Sequence, residues 1–182
     1  PMRALGTVSY KLTGYPAKDL RWQFAYPLAY AQEIGQEASK RGLDPLLVHG
    51  LIRQESRYDP QALSRSKAMG LMQLLVGTAY GTAKHNGIAL ANKEQIFQPA
   101  TNIQLGCSYL AYVLKRNNLN AMLAVASYNG GPNAVKKWVA RHRKEGFNDM
   151  DIYVENIPYK ETRGYVRKVF ANYWNYESLY AR

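Results

Sequence analysis

One carboxylate stands where an amphipathic helix should carry an apolar side chain. Val48, Leu51 and Ile52 recur at helical spacing, and Glu55 is the next member of that row. Asp44 and Pro45 supply a cap residue and a first-turn proline. Asp59-Pro60 closes the segment, because a residue before proline avoids helical geometry. Glu55 therefore falls near a helix C-terminus, on the inward side. Burial penalises a charged carboxylate there, and the negative end of the helix dipole does the same. A glutamate held neutral near neutral pH is what a general acid requires. The competing reading is a glutamate that snorkels to solvent or pairs with Arg53 or Arg57.

Other reactive groups are sparse. His49, His85 and His142 are far apart and lack metal-ligand spacing. There is no paired-cysteine or His-Glu-x-x-His pattern, no phosphate loop and no Gly-x-Ser-x-Gly elbow. The expectation is chemistry without a metal or cofactor. Cys107 lies in an apparent helix beside Leu110 and Ala111 and reads as a buried small apolar residue. At 182 residues the chain fits one domain, or one domain plus an arm. No apolar run reaches the roughly 20 residues that span a bilayer. No signal-peptide pattern opens the chain, which starts at Pro1, so this end leaves the compartment open. A net charge of +11 with fifteen tyrosines favours an acidic partner: nucleic acid, anionic lipid or an acidic polysaccharide.

The elements that must position Glu55 are helices, and the expected fold class is all-α. Residues 1–24 lack periodicity and read as an arm or linker remnant, with Tyr10, Tyr15 and Trp22 packing on the body. Residues 25–182 form the main domain. A first helix is expected over 27–41, with Leu28, Ala31, Ile34 and Ala38 inward and Gly42 as its stop. The Glu55 helix follows, then a loop over 59–70. A third helix should run from about Leu71 to Gly81, and 84–98 should be loop. Pro99 opens a long helix to about Asn117, striped by Ile103, Cys107, Leu110 and Leu114; Gly106 within it suggests close approach by another helix. Asn120 caps a short helix to about Tyr128, and Asn129-Gly130-Gly131-Pro132 breaks the chain sharply. A helix over 133–144 turns Val135, Trp138 and Val139 inward and carries Lys136, Lys137, Arg141 and Arg143 outside, as a solvated face or a polyanion contact. The last helix, 161–179, shows Val166, Val169, Phe170, Tyr173 and Trp174 on one face.

Four blocks in this order carry a resemblance. They are Arg53-Gln54-Glu55-Ser56-Arg57-Tyr58-Asp59-Pro60 with Ser64, then Gly70-Leu71-Met72-Gln73, then Ser127-Tyr128-Asn129-Gly130-Gly131-Pro132, and finally Glu155 to Tyr159 with Glu161-Thr162-Arg163-Gly164-Tyr165-Val166. Together they resemble the catalytic domain of the soluble lytic transglycosylases, a lysozyme-like family related to goose-type lysozymes, over about residues 27–176. The resemblance implies cleavage of the β-1,4 bond between N-acetylmuramic acid and N-acetylglucosamine in peptidoglycan, outside the cytoplasmic membrane of a bacterium and most naturally in the periplasm. The muramic acid 6-hydroxyl replaces water, leaving a 1,6-anhydro end. Glu55 would be the catalytic residue, acid first and base second.

The resemblance also implies substrate contacts at Ser64, Leu71, Met72, Gln73, Ser127, Tyr128, Asn129, Glu155 and Glu161, with Arg163 pairing one of the acids or a peptide carboxylate. An ordinary glycosidase needs a second carboxylate about 5 to 9.5 Å away. Asp59 is the neighbour such a mechanism would use, but its place before Pro60 suits a turn. The implied partner is the glycan strand, with other cell-wall enzymes and a monomeric state as further expectations. Scattered Lys and Arg without a reader motif argue against nucleic acid. Departures from the family pattern are Leu75-Val76 in place of Met-Pro, Ser127 in place of alanine, and Gly131-Pro132 in place of a looser turn. Hydrolysis by a goose-type muramidase and a non-catalytic peptidoglycan-binding module are the alternatives.

Overall fold

The computed structural model describes residues 20–144 and 149–181. Nine α-helices form among them: α1 (Leu20–Ala25), α2 (Ala31–Arg41), α3 (Pro45–Glu55), α4 (Val76–Asn86), α5 (Pro99–Arg116), α6 (Ala121–Gly130), α7 (Pro132–Lys144), α8 (Met150–Glu155) and α9 (Lys160–Tyr180). A 3-10 helix, Lys93–Phe97, precedes α5. No strand forms among the described residues; two isolated bridges, Leu63 to Met69 and Met69 to Leu74, tie the loop after α3.

The start of α3 follows from its sequence. The Asp44 carboxylate accepts from the Leu46 backbone N–H at 2.8 Å, and Pro45 takes the first turn. Its end comes earlier than the proline suggests, at Glu55 itself. Arg57 and Tyr58 both adopt left-handed backbone, at φ 52° and 63°. Tyr58 makes that costly turn hold, because its side chain is 2% exposed within the core. Its hydroxyl lies 2.7 Å from both His49 Nδ1 and the Tyr176 hydroxyl. Burial pushes His49 down to about 4, so the ring is neutral.

Helix α3 packs along α9. Val48, Leu51 and Ile52 are fully buried and share the core with Tyr165, Val166 and Val169. The two backbones meet at Gly50, where an added Cβ would lie 3.0 Å from Tyr173 N and 3.2 Å from Val169 O. Asn172 Nδ2 donates to Gly50 O at 3.2 Å and fixes the register. Three apolar residues expected inward face solvent instead. Leu28 precedes α2 and Ala31 is its first residue, so the helix packs neither against the core. Trp174 is 54% exposed, because α9 turns Asn172 and Tyr176 inward at that level.

The expected helix from Leu71 is a turn; α4 begins at Val76 and runs to Asn86. Gly70 sits at φ 76° with Asn102 and Ile96 O so close that any side chain would collide. Gln73 is also left-handed, at φ 47°. Asn102, buried on α5, locks the turn: Met72 N donates to its Oδ1 at 2.7 Å, and its Nδ2 donates to Met69 O and Ile96 O. Gly106 does mark a close approach, but by the Met72 side chain rather than by a helix. Cys107 is buried as expected, its thiol pushed up to about 12 by burial. Helix α6 runs through Gly130, so the break falls at Gly131 alone. The short α8, capped by Asp149, was not foreseen. Helix α1 occupies the end of the segment read as an arm; Trp22 packs on the core, whereas Tyr10 and Tyr15 lie outside the described residues.

Candidate active site

The last residue of α3, the turn 69–74, the end of α6 and the first turns of α9 converge on one carboxyl group. Glu55 Oε1 accepts a hydrogen bond of 2.6 Å from the Tyr165 hydroxyl of α9. Burial raises Glu55 from 4.5 to about 7, against the lowering effect of that bond. The side chain keeps partial solvent access, so the proton it holds can be exchanged. With Oε1 taken up by the Tyr165 hydroxyl, Oε2 is the oxygen from which the neutral acid can donate. Tyr165 and Tyr128 are both held well above the usual tyrosine range, by burial first and then by the Glu55 charge. They stay neutral donors on either side of the acid.

Tyr128 is oriented by the turn, its hydroxyl donating to Met72 O at 2.9 Å. Its ring stands 5.2 Å from that of Tyr109 on α5, tilted by 56°. Asn129 is exposed beside it, and its Oδ1 accepts from Thr162 Oγ1 at 2.8 Å, which ties the end of α6 to α9. Glu161 is exposed one turn before Tyr165, on the same side of α9.

Several expected contacts fall elsewhere. Leu71 and Met72 are 0% exposed and cannot touch a ligand; they form the floor beneath Tyr128. Ser127 is likewise 0% exposed, its Oγ accepting from Asn117 Nδ2 at 2.9 Å. Gln73 spends Nε2 on Ala62 O and Gly70 O, leaving its carbonyl oxygen for an outside partner. Ser64 Oγ accepts from Ala68 N at 2.9 Å and keeps its own proton to donate. Glu155 is exposed and forms a two-point ion pair with Arg167. It borders a cavity of about 590 Å³ among α6, α8 and α9 that does not include Glu55. Arg163 donates to the backbone carbonyls of Glu155 and Ile157 rather than to an acid side chain.

The pairing with Arg53 does not form: Arg53 donates to Ala25 O and Asn172 Oδ1. Asp59 organises its turn, with Oδ1 accepting from Gln61 N at 3.0 Å. Among the described residues no second carboxylate perturbs Glu55. Tyr165 was missed: it stood within a quoted block without a role. Its signal was a hydroxyl on the apolar row of α9, four residues after Glu161.

The Transglycosylase SLT domain family matches residues 32–150. The soluble lytic murein transglycosylase of Escherichia coli (strain K12) is 37% identical over 147 residues, covering 80% of this chain and 22% of that protein. A putative soluble lytic murein transglycosylase of Haemophilus influenzae is 36% identical over 153 residues, covering 84% and 26%. Among solved structures, an inactive glutamate-to-glutamine mutant of the lytic transglycosylase Slt from Pseudomonas aeruginosa superposes with a TM-score of 0.84 at 34% identity, over 98% of this chain and 28% of that one. The chain thus spans about a quarter of the length of the curated relatives it matches. Since the match runs from α2 to the start of α8 and takes in both Glu55 and Tyr128, the chain belongs to the SLT transglycosylase domain family, with its all-α, lysozyme-like fold.

Proposed function

We propose that this domain cleaves the β-1,4 bond between N-acetylmuramic acid and N-acetylglucosamine in peptidoglycan without water. Glu55 Oε2 gives its proton to the departing glycosidic oxygen. The resulting carboxylate then takes the proton of the muramic acid 6-hydroxyl as that oxygen bonds to the anomeric carbon. A 1,6-anhydro ring closes, and Glu55 ends protonated as it began. A group titrating at about 7 suits both halves of this exchange. The observation that carries the reading is the solitary state of Glu55: two neutral tyrosines flank it, and no other carboxylate acts on it among the described residues. A hydrolase with a nucleophile or a water-activating base needs that second group. The inactive glutamate-to-glutamine form of the Pseudomonas enzyme adds support.

Tyr128, Asn129 and Glu161 are the proposed sugar contacts, with the Gln73 carbonyl oxygen and the Ser64 hydroxyl at the rim. Glu155 is not among them. The place of action is outside the cytoplasmic membrane, the periplasm in a cell that has one. No described helix is long and apolar enough to cross a membrane. Mass analysis of products from purified sacculi tests the reading. Fragments one water lighter than reducing-end muropeptides are expected; reducing ends alone would replace it with hydrolysis. Loss of all product in Glu55→Gln, with the fold retained, checks the residue.

A further inference from the structure

Away from Glu55, one face of α5 leads outward. Tyr109, Tyr112 and Arg116 stand at positions i, i+3 and i+7, which share a helix face. The Tyr109 ring contacts Tyr128 on one side and stacks at 6.2 Å on Tyr112 on the other. Arg116 Nη1 donates to the Tyr112 hydroxyl and Nη2 to Asn133 Oδ1, each at 3.2 Å. Both partners are neutral, so the guanidinium keeps its full charge. Beyond Arg116 opens a groove of about 480 Å³ between α7 and the C-terminal end of α5. Lys136 and Arg143 line it from α7, Leu123 and Val139 form an apolar floor, and none of its described lining residues is acidic. Lys136 and Arg143 form no hydrogen bond or ion pair among the described residues.

A concave site with three cations, no counter-charge among its described lining residues and a greasy floor fits a ligand that is anionic and partly aliphatic. From Tyr109 to Arg116 the helix rises about 10 Å, which an extended peptide covers in about three residues. We propose that this groove is an exosite for the free carboxylates of the short peptide carried by the bound glycan strand. The inference rests on the reading of Glu55 and Tyr128 as a peptidoglycan site. It adds which side of that site receives the peptide, and by what charges. A nucleic acid backbone would use the cations but has no need of the apolar floor or of the aromatic row that joins the groove to Tyr128.

The test is the pair Lys136→Glu with Arg143→Glu, both at exposed positions outside the catalytic machinery, placed in full-chain protein with Glu55 intact and again in Glu55→Gln. The control pair Lys93→Glu with Lys168→Glu makes the same charge change elsewhere. Thermal unfolding first establishes that each variant folds; Lys136→Gln with Arg143→Gln is the milder form should the reversal not fold. Binding and cleavage are measured on peptide-bearing glycan strands and on the same strands stripped of peptide by an amidase. The expected result is a loss of about tenfold on peptide-bearing strands, with stripped strands within twofold of the parent and no such contrast in the control pair. Equal loss on both substrates, or none on either, overturns the proposal. So does lost binding to duplex DNA with binding to strands unchanged. If the intact protein cuts neither substrate yet the binding contrast persists, the catalytic reading fails and the exosite stands. If cutting persists and the contrast is absent, the exosite alone fails.

Discussion

Replacing Glu55 by glutamine tests the physics of the site and its chemistry at once. The folded protein holds this carboxyl at about 7 against an ordinary value of 4.5, with burial as the dominant cause. Between those two pH values the native state binds a proton that the unfolded state has released. Stability therefore falls as pH rises through this window, and the full penalty stands above pH 7. At 1.36 kcal/mol for each unit, that penalty is about 3 kcal/mol. Glutamine has a similar shape and no charge, so it carries none of it. Denaturant unfolding of both proteins at pH 5 and pH 8 reads the effect. The variant should gain about 2 to 3 kcal/mol on the parent between the two. The His49 titration is common to both proteins and cancels in the comparison. Activity should move the opposite way, vanishing in the variant while stability at neutral pH rises. Parallel stability curves would show that Glu55 titrates as an ordinary surface acid, and the proton-donor argument would fall with them.

The other predictions probe what surrounds that group. Tyr165→Phe deletes the bond that lowers the Glu55 pKa, so the alkaline limb of the rate profile should move to higher pH. Its kcat should fall about ten- to a hundredfold, as a lost charge-assisted bond implies; an unmoved limb would count against the assigned contact. Gly50→Ala forces a Cβ onto the Tyr173 and Val169 backbone and should lower stability by about 1–3 kcal/mol in denaturant melts. An unchanged melt would mean that α3 and α9 are not in the contact described. His49 sits at about 4 against 6.5 in the unfolded chain, so the unfolded state takes up the proton first on acidification. Stability should fall as pH drops from 6.5 toward 4, by about 3 kcal/mol in all. His49→Gln should flatten that acid limb whatever its effect at neutral pH.

Sequence reasoning reached the features that depend on near neighbours. The Asp44 cap, Pro45 and the apolar row through Ile52 define α3 within a dozen residues, and Glu55 stands out against that row. Pro99 and the stripe through Leu110 define α5 in the same way. What it missed depends on distant partners. Leu71, Met72 and Leu74 look like a helix start because they are apolar and close together. They form a turn because Asn102, 30 residues beyond Met72, accepts from the Met72 N–H and donates to Met69 O. The end of α3 was placed late because Tyr58 is anchored on Tyr176, 118 residues away. The Tyr165 contact to Glu55 spans 110 residues and leaves no local trace. Ser127, Leu71 and Met72 illustrate a further limit: a motif names residues that matter together, and some of them matter by holding others from below.

The net charge of +11 and the neutral acid make opposite demands, and the fold satisfies both by separating them. A cation 4 Å from Glu55 would favour its ionised form by about 4 kcal/mol at an effective dielectric of 20. That corresponds to about three pH units, enough to cancel the rise from 4.5 to about 7. Arg53 is the side chain best placed in sequence to do this, two residues before Glu55. It is drawn the other way, its guanidinium 4.0 Å over the Tyr26 ring and bonded to Ala25 O and Asn172. The neighbours of Glu55 are instead Tyr165 and Tyr128, which burial keeps uncharged. The cations that could attract an acidic polymer stand instead along α7 and at Arg116, joined to the site by tyrosine rings rather than by charges. Such an arrangement lets the surface bind an anionic strand strongly without ionising the one group that must arrive at the bond still holding its proton.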